Sequence, residues 1–148
     1  MKVIVVTGTP GTGKTKLSKR IAKDKDYLYI DVKRLIKKFK LHEKFDKKRK
    51  SWIVNVDKLN EVLLDIIGIA RDEGQKGLVL DSHLAHYLPH KYVDLCIVTR
   101  TDPKKLYSRL KDRKYSKFKI SENVEAEIMQ VILEEARTKN HKIKVVYT

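Results

Sequence analysis

Short apolar runs alternate with longer amphipathic segments along most of this chain. The apolar runs are rich in β-branched residues and end at glycine or polar residues, so they predict buried strands. These predicted strands cover residues 2–7, 27–30, 77–81, 92–99 and 143–147.

The amphipathic segments carry an apolar residue every three or four positions, which predicts helices. They cover 14–25, 32–40, a segment capped by Asp57 and ended by Gly74, 103–114, and a segment capped by Ser121 with inward positions as far as Ala136. Asp102-Pro103 is a typical helix start. Residues 41–55 show no clear period, so no element is predicted there.

Strands that alternate with helices predict a parallel sheet covered by helices on both faces, an α/β fold. The length of 148 residues suits a single domain, which we take as 1–148. Ligands of such sheets bind beyond the carboxyl ends of the strands. The residues that follow each predicted strand are therefore the candidates for a binding site.

The first strand runs into a complete phosphate-loop motif, G-x-x-x-x-G-K-[ST], before the first helix. Glycines let the loop aim its backbone N–H groups at phosphate oxygens, and the helix N-terminus adds partial positive charge. Lys14 is expected to reach the β- and γ-phosphates of a nucleotide, and the Thr15 hydroxyl to bind Mg²⁺. The predicted nucleotide-binding residues of the motif are Gly8, Pro10, Gly11, Thr12, Gly13, Lys14 and Thr15.

The third strand ends at Asp81, a carboxylate suited to hold Mg²⁺ beside the phosphate loop. His83 follows two residues later, and with His86 and His90 it forms a spacing that also allows a zinc site. The alternative is a set of unrelated surface and core histidines, which is the more common situation.

The net charge of +15 is concentrated in two windows. Residues 33–50 hold ten basic and two acidic side chains, and residues 100–119 hold nine and two. The first window includes the run Asp46-Lys47-Lys48-Arg49-Lys50, and Trp52 follows it. Such windows suggest polyanionic ligands, either nucleotides or RNA, although a solvated lysine-rich surface is the plainer interpretation.

Composition excludes other classes. Hydrophobic residues make up 41% of the chain, enough for a core, and no apolar run approaches the ~20 residues of a membrane span. A single cysteine, Cys96, excludes an internal disulfide, and we expect neither a signal peptide nor a membrane partner. A cytoplasmic location fits best, or the nucleus if the source is eukaryotic.

Further motifs carry a resemblance to a known family. The phosphate loop, the triplet Asp81-Ser82-His83, the string RTDP at 100–103, and the pair Arg109 and Arg113 within 106–115 resemble the small adenylate kinases of the isoenzyme 6 type. The segment 122–128 is also similar, and the likeness covers nearly the whole chain. Arginines four apart share one helix face, so both can reach one nucleotide.

The resemblance implies a three-layer P-loop NTPase fold like that of nucleoside monophosphate kinases, with a five-stranded parallel sheet of order 2-3-1-4-5. It implies transfer of the γ-phosphate of ATP to AMP with Mg²⁺, and ATPase activity alongside. It also implies a role in maturation of the small ribosomal subunit through a small-subunit ribosomal protein. The basic windows add ribosomal RNA as a candidate partner.

The resemblance also implies residue roles. Lys14, Asp81, His83 and Arg113 would serve catalysis, and Arg109 would stack on the donor base. Arg113 would touch phosphates.

The resemblance further implies two mobile parts, a monophosphate-binding module over about 32–66 and a short lid over about 112–120. In that module Lys37 stands where the family has an arginine, and Arg34 is a nearby substitute, so either could hold the AMP phosphate. Beyond the last strand, the family pattern has a glycine-containing turn and a helix that the printed sequence does not include.

Two other functions stay open at this level. One is an ATP-driven assembly factor for a ribonucleoprotein with little kinase activity. The other is a different small-molecule kinase of the same fold, such as a shikimate- or cytidylate-type enzyme.

Overall fold

A computed structural model describes residues 1–48 and 51–148, and the side chains of all of these except 51 and 52. Arg49, Lys50 and the Trp52 side chain, which the sequence analysis singled out, therefore lie outside the described part. Within it, no helix is both long enough and apolar enough to cross a membrane.

Seven strands and six helices make up the described fold. The strands are β1 (Lys2–Gly8), β2 (Leu28–Asp31), β3 (His42–Asp46), β4 (Ser51–Val54), β5 (Gly77–Asp81), β6 (Leu95–Arg100) and β7 (Ile143–Tyr147). The helices are α1 (Lys14–Lys25), α2 (Val32–Lys38), α3 (Val56–Asp72), α4 (Pro103–Asp112), α5 (Lys117–Ile128) and α6 (Val131–Thr138).

Five strands form one parallel sheet in the order β2-β5-β1-β6-β7. When only the five strands of this sheet are numbered in chain order, their order is 2-3-1-4-5, so the predicted topology is confirmed. In the register of the sheet, Asp81 of β5 lies beside Val6 of β1 and Asp31 of β2. The carboxyl ends of three strands therefore meet where the phosphate loop begins.

The sheet is covered on both faces, because its central strands alternate their side chains between two cores. Val3 and Val5 of β1 face a large core that includes residues of α2, α3 and α6. Ile4 and Val6 face a smaller core shared with α1. A third cluster, Leu106, Leu110 and Ile120, joins α4 to α5.

Several predicted boundaries are corrected by the structure. The strand predicted over 27–30 is displaced by one residue, to β2. The strand predicted over 92–99 begins only at Leu95, because His90–Tyr92 form a 3₁₀ turn. The helix predicted over 32–40 ends at Lys38, since Lys40 takes a left-handed conformation with φ of 51°. The helix predicted over 103–114 ends at Asp112.

Two predicted helix caps were wrong. Asn55, not Asp57, caps α3 by accepting a hydrogen bond from the Lys58 N–H. Ser116, not Ser121, caps α5, so that helix starts earlier than predicted.

The long last helix of the prediction is in fact two helices. Gln130 adopts a left-handed conformation, φ 58°, and separates α5 from α6. Because of this break, Ile128 is 58% exposed, although the periodicity placed it on the buried face.

The segment without a clear period contains an antiparallel hairpin of β3 and β4. The three central residues of β3 are all exposed, so neither of its faces is buried. A strand without a buried face does not need alternating apolar residues, and this explains why the sequence pattern missed it.

Candidate functional site

The phosphate loop lies between β1 and α1, and its glycines are required by its geometry. Gly11 and Gly13 have φ of 90° and 84°, in the left-handed region that favours glycine. A Cβ on Gly11 would come within 2.9 Å of the Leu106 side chain. The loop therefore packs directly on α4 and has no room for a side chain there.

Gly13 also precedes the first turn of α1 and offers no side-chain cap. The first N–H groups of a helix lack partners within the helix, so they are available to an anionic ligand. Together with the helix dipole, they favour a phosphate group at this position.

Lys14 curls back over the loop that precedes it. Its Nζ donates hydrogen bonds to the carbonyl oxygens of Gly8 at 2.8 Å and Thr9 at 3.1 Å. Desolvation by burial lowers the pKa of Lys14 to about 8. The Asp81 carboxylate opposes this shift, and the positive charge of Arg113 contributes to it. The loop carbonyls thus orient the amine, and the Asp81 carboxylate stabilises its charge.

Buried threonines fix the loop from beneath. The Thr12 hydroxyl donates to the Thr9 carbonyl at 2.6 Å. Its oxygen lies 2.7 Å from the Thr99 hydroxyl at the end of β6, which in turn bonds the Thr7 carbonyl. The backbone of the loop is therefore tied to two strand ends.

Asp81 receives two hydroxyl groups on one carboxylate oxygen. Thr15 and Tyr29 each donate to its Oδ2 at 2.7 Å. Burial raises the pKa of Tyr29, and the neighbouring Asp81 carboxylate raises it further. Hydroxyl and carboxylate oxygens are the donors that Mg²⁺ takes alongside water and phosphate oxygens, so Thr15 and Asp81 fit this ion.

His83 lies two residues beyond Asp81 and is exposed. The protein around the ring partly desolvates it, and this, followed by the positive charge of Lys14, lowers the pKa of His83 to about 4. Lys33 of α2 contributes in the same direction. A neutral ring close to Lys14 and Lys33 can accept or donate a hydrogen bond toward a phosphate or water.

The three spaced histidines do not come together. His86 is fully buried and its Nδ1 lies 2.8 Å from the Thr7 hydroxyl, while His83 and His90 are exposed. Over residues 1–48 and 51–148, no group of three or more His, Cys, Asp or Glu side chains is arranged to hold a metal ion.

Arg109 lies on α4, and Arg113 lies at the C-terminal end of this helix. Arg109 Nη1 donates to the Gly11 carbonyl at 3.2 Å and to the hydroxyls of Thr101 and Thr148 at 3.2 and 3.0 Å. Both arginines line an open cavity of about 900 Å³ together with Gly13, Lys14 and Thr15. This cavity has the size and charge for a nucleotide.

The two predicted monophosphate-binding residues, Arg34 and Lys37, are exposed on α2. That helix buries Val32 and Ile36, and its N-terminal end is capped by Asp31, the register neighbour of Asp81. Neither Arg34 nor Lys37 lines the 900 Å³ cavity that holds Arg109 and Arg113. On this helix it is Lys33 whose charge acts on His83.

Several residues that contact the predicted site left no clear signal in the sequence, and Tyr29 and Glu127 are two of them. Tyr29 donates to Asp81 from 52 positions away, and Glu127 accepts a bond from Thr9 of the loop from 118 positions away. Tyr29 had the appearance of an ordinary strand residue. Glu127 lies in the segment that resembles the family, which was the only signal available for it.

A parallel sheet of this order, with a phosphate loop after its first strand and a hydroxyl–carboxylate pair beside it, defines a P-loop nucleotide-binding protein of the kinase type. Comparison with known proteins agrees. A family profile described as an AAA domain matches residues 4–130. The chain belongs to the adenylate kinase isoenzyme 6 family, as its relatives show.

One relative is the adenylate kinase isoenzyme 6 homolog of Caenorhabditis elegans, 40% identical over 134 residues, which are 90% of this chain and 71% of that protein. A putative adenylate kinase of Methanosarcina acetivorans is 39% identical over 135 residues, covering 90% and 70% of the two chains. That of Thermococcus kodakarensis is 38% identical over 142 residues, covering 95% and 73%.

Solved structures support the fold alone. A sugar kinase from Janibacter superposes with a TM-score of 0.59 at 15% identity, covering 99% of this chain and 85% of that one. A deoxyadenosine kinase from M. mycoides gives 0.54 at 17% identity, covering 97% and 89%.

Proposed function

We propose that this protein transfers the γ-phosphate of ATP to AMP, forming two ADP, and hydrolyses ATP slowly when no acceptor is bound. The observation that carries this proposal is the grouping of Lys14, the Thr15–Asp81 pair, Arg109 and Arg113 around the phosphate loop. The names of the relatives at about 40% identity support adenylate kinase chemistry in particular.

Phosphoryl transfer depends on alignment and on neutralising charge more than on a strong base. Lys14 and the N–H groups at the start of α1 would bind the β- and γ-phosphates of ATP. Arg113 would approach the transferred group from the end of α4, and Arg109 would hold the donor nucleotide against the loop. Thr15 and Asp81 would hold Mg²⁺, which neutralises charge on the phosphates when bound.

The acceptor would bind beyond β2 and β5, in a module over about 32–66. Arg34 and Lys37 remain the proposed ligands of the AMP phosphate, and Lys33 joins them because its charge acts on His83. His83 would orient the attacking oxygen or a water by a hydrogen bond. Residues of about 112–120, which include the turn between α4 and α5, would act as a short lid that excludes water.

The test is ADP production from ATP with Mg²⁺, with and without AMP. We expect strong stimulation by AMP and loss of nearly all turnover in Lys14→Ala, because the amine that binds the phosphates is gone. Lys25→Ala, at the far end of the same helix, is the matched control. Turnover that survives Lys14→Ala would refute the assignment, and a panel of other acceptors would separate AMP from other small-molecule kinase substrates.

A second proposed function is assembly of the small ribosomal subunit, with a ribosomal protein and ribosomal RNA as partners. One observation favours it: the two basic windows approach each other, since Lys48 Nζ lies 5.8 Å from the Phe118 ring centroid. A combined basic surface with exposed aromatic rings suits single-stranded nucleic acid. ATP hydrolysis indifferent to AMP, together with RNA binding, would favour this function over the kinase.

A further inference from the structure

Glu127, near the end of α5, is a carboxylate buried against the phosphate loop. Only 2% of the residue is exposed. Its Oε1 accepts a hydrogen bond from the Thr9 hydroxyl at 3.0 Å. Its Oε2 accepts from the Thr101 N–H at 2.8 Å and from Arg100 Nε at 3.0 Å. Both carboxylate oxygens therefore have partners, and Arg100 also donates to the Glu127 backbone carbonyl at 2.8 Å.

Fold stability alone does not require such a group. Burying an ion pair costs desolvation that its attraction only partly offsets, and apolar residues of similar volume are often no less stable. The side chains of Arg100 and Glu127 are 12% and 3% exposed, so this cost applies here. A buried carboxylate at this place therefore points to a task beyond packing.

The hydrogen bond between Glu127 and Thr9 holds a residue whose carbonyl organises the phosphate loop. The Thr9 carbonyl accepts hydrogen bonds from Lys14 Nζ at 3.1 Å, from the Thr12 hydroxyl at 2.6 Å and from the Thr12 N–H at 3.2 Å. By holding the Thr9 side chain, Glu127 restricts the rotation of the residue that carries this carbonyl. The direction of the Lys14 amine depends on that carbonyl.

The hydrogen bond between Glu127 and Thr101 gives the same kind of support to Arg109, the residue proposed to hold ATP. The Thr101 N–H donates a hydrogen bond to Glu127 Oε2, and the Thr101 hydroxyl accepts one from Arg109 Nη1 at 3.2 Å. One carboxylate thus reaches Lys14 through Thr9 and Arg109 through Thr101. Both lie on the cavity that suits the nucleotide.

We propose that Glu127 is a positioning residue for ATP: it holds the phosphate loop and the end of β6 in one arrangement, and so fixes Lys14 and Arg109 for the triphosphate. Since Glu127 belongs to α5, which follows the turn at 113–116, it also links the position of that helix to the loop. This inference rests on the proposed use of ATP, and goes beyond it by naming a residue that touches no substrate.

The test is a double-mutant cycle with Glu127→Gln and Thr9→Val, measuring kcat and KM for ATP and for AMP at a temperature where every variant is folded by circular dichroism. Glutamine keeps the shape and removes the charge, and valine removes only the hydroxyl on the loop side. Calorimetric binding of ATP gives a readout that does not need turnover. Asp94→Asn is the control, because Asp94 bonds the Val3 N–H at the opposite end of β1.

We expect each single change to lower kcat/KM for ATP about tenfold, as a small misplacement of the phosphate-binding groups does. KM for AMP should change little. The double variant should be hardly worse than Glu127→Gln alone, because the contact that Thr9→Val removes is already weakened in Glu127→Gln. Thr9→Ser restores the hydroxyl and should recover most of the loss, which keeps the test decisive if Glu127→Gln does not fold.

Fully additive losses, or ATP parameters equal to those of Asp94→Asn, would overturn the positioning role and leave Glu127 a purely structural residue. Failure of the proposed function has a different signature. In that case the wild-type protein itself neither binds ATP in calorimetry nor forms ADP.

Discussion

Asp81 is held by side chains that are distant from it in the sequence. One of its oxygens takes hydrogen bonds from Thr15 and from Tyr29, each at 2.7 Å. These donors fix the orientation of the carboxylate. An oriented carboxylate is what a Mg²⁺ site needs.

Tyr29→Phe removes one of these two donors and leaves the ring in place. We expect a loss of about 1 kcal/mol in the free energy of unfolding, the usual net value of one hydrogen bond. We also expect a higher Mg²⁺ concentration at half-maximal turnover, because Asp81 is less well oriented. Urea denaturation and a Mg²⁺ titration of ADP formation measure the two effects.

Tyr27→Phe is the matched control, since Tyr27 packs its ring against Gly77 at the start of β5, away from Asp81. An unchanged Mg²⁺ dependence in Tyr29→Phe would mean that Thr15 alone orients the carboxylate.

At the scale of elements, α5 shows how a helix start is decided. Two serines compete in the sequence, Ser116 and Ser121, and both precede polar and apolar residues in a helical pattern. In the structure the Ser116 hydroxyl accepts the Lys119 N–H at 3.2 Å, while Ser121 lies inside the helix. The earlier start shortens the turn after α4 and brings Phe118 into α5.

Ser116→Ala should therefore destabilise the protein by about 1 kcal/mol, the typical cost of losing an N-cap. Ser121→Ala should be neutral or slightly stabilising, because alanine is the better helix former inside a helix. Chemical denaturation of both variants beside the wild type checks this. A larger loss from Ser121→Ala than from Ser116→Ala would contradict the observed cap.

At the scale of the whole molecule, two buried histidines make stability depend on pH. His86 bonds Thr7 and Glu135, with Tyr87 and Lys139 nearby, and His141 bonds the His86 carbonyl. Burial lowers the pKa of both rings. For His86, the nearby Glu135 carboxylate opposes part of this shift. Folding therefore favours the neutral rings.

Between these lowered values and the unfolded value of about 6.5, the unfolded chain binds more protons than the folded one. The free energy of unfolding should thus be highest above about pH 6.5 and should fall as the pH is lowered toward 5. Urea denaturation at several pH values measures this. His141→Gln should give a shallower slope, and a stability that rises toward pH 5 would contradict the burial of neutral rings.

The net charge of +15 leads to a further prediction at this scale. If the two basic windows together bind RNA, affinity must fall steeply with salt, because each neutralised phosphate releases a counterion. Filter binding of a single-stranded RNA between 50 and 200 mM salt should then show a loss of about 10³-fold for roughly six phosphate contacts. Lys48→Ala with Lys44→Ala should reduce the slope, whereas salt-independent or absent binding would leave the windows a solvated surface.

The sequence by itself determined the class of fold and the phosphate loop. Both are local signals: strands and helices follow from periods within 4–18 residues, and the loop follows from eight consecutive residues, 8–15. The place of Asp81 was also predictable, because a polar residue at the end of a buried strand lies at the carboxyl edge of the sheet; its role in binding Mg²⁺ stays a prediction.

Only the tertiary structure decided which side chains support the site and where several of the elements begin or end. Tyr29 and Glu127 act across 52 and 118 positions, and their contacts depend on how strands and helices are placed rather than on any local period. The hairpin of β3 and β4 left no period because it has no buried face. The break at Gln130 depends on packing α6 and α5 against different parts of the molecule, Leu133 in the large core and Ile120 against α4.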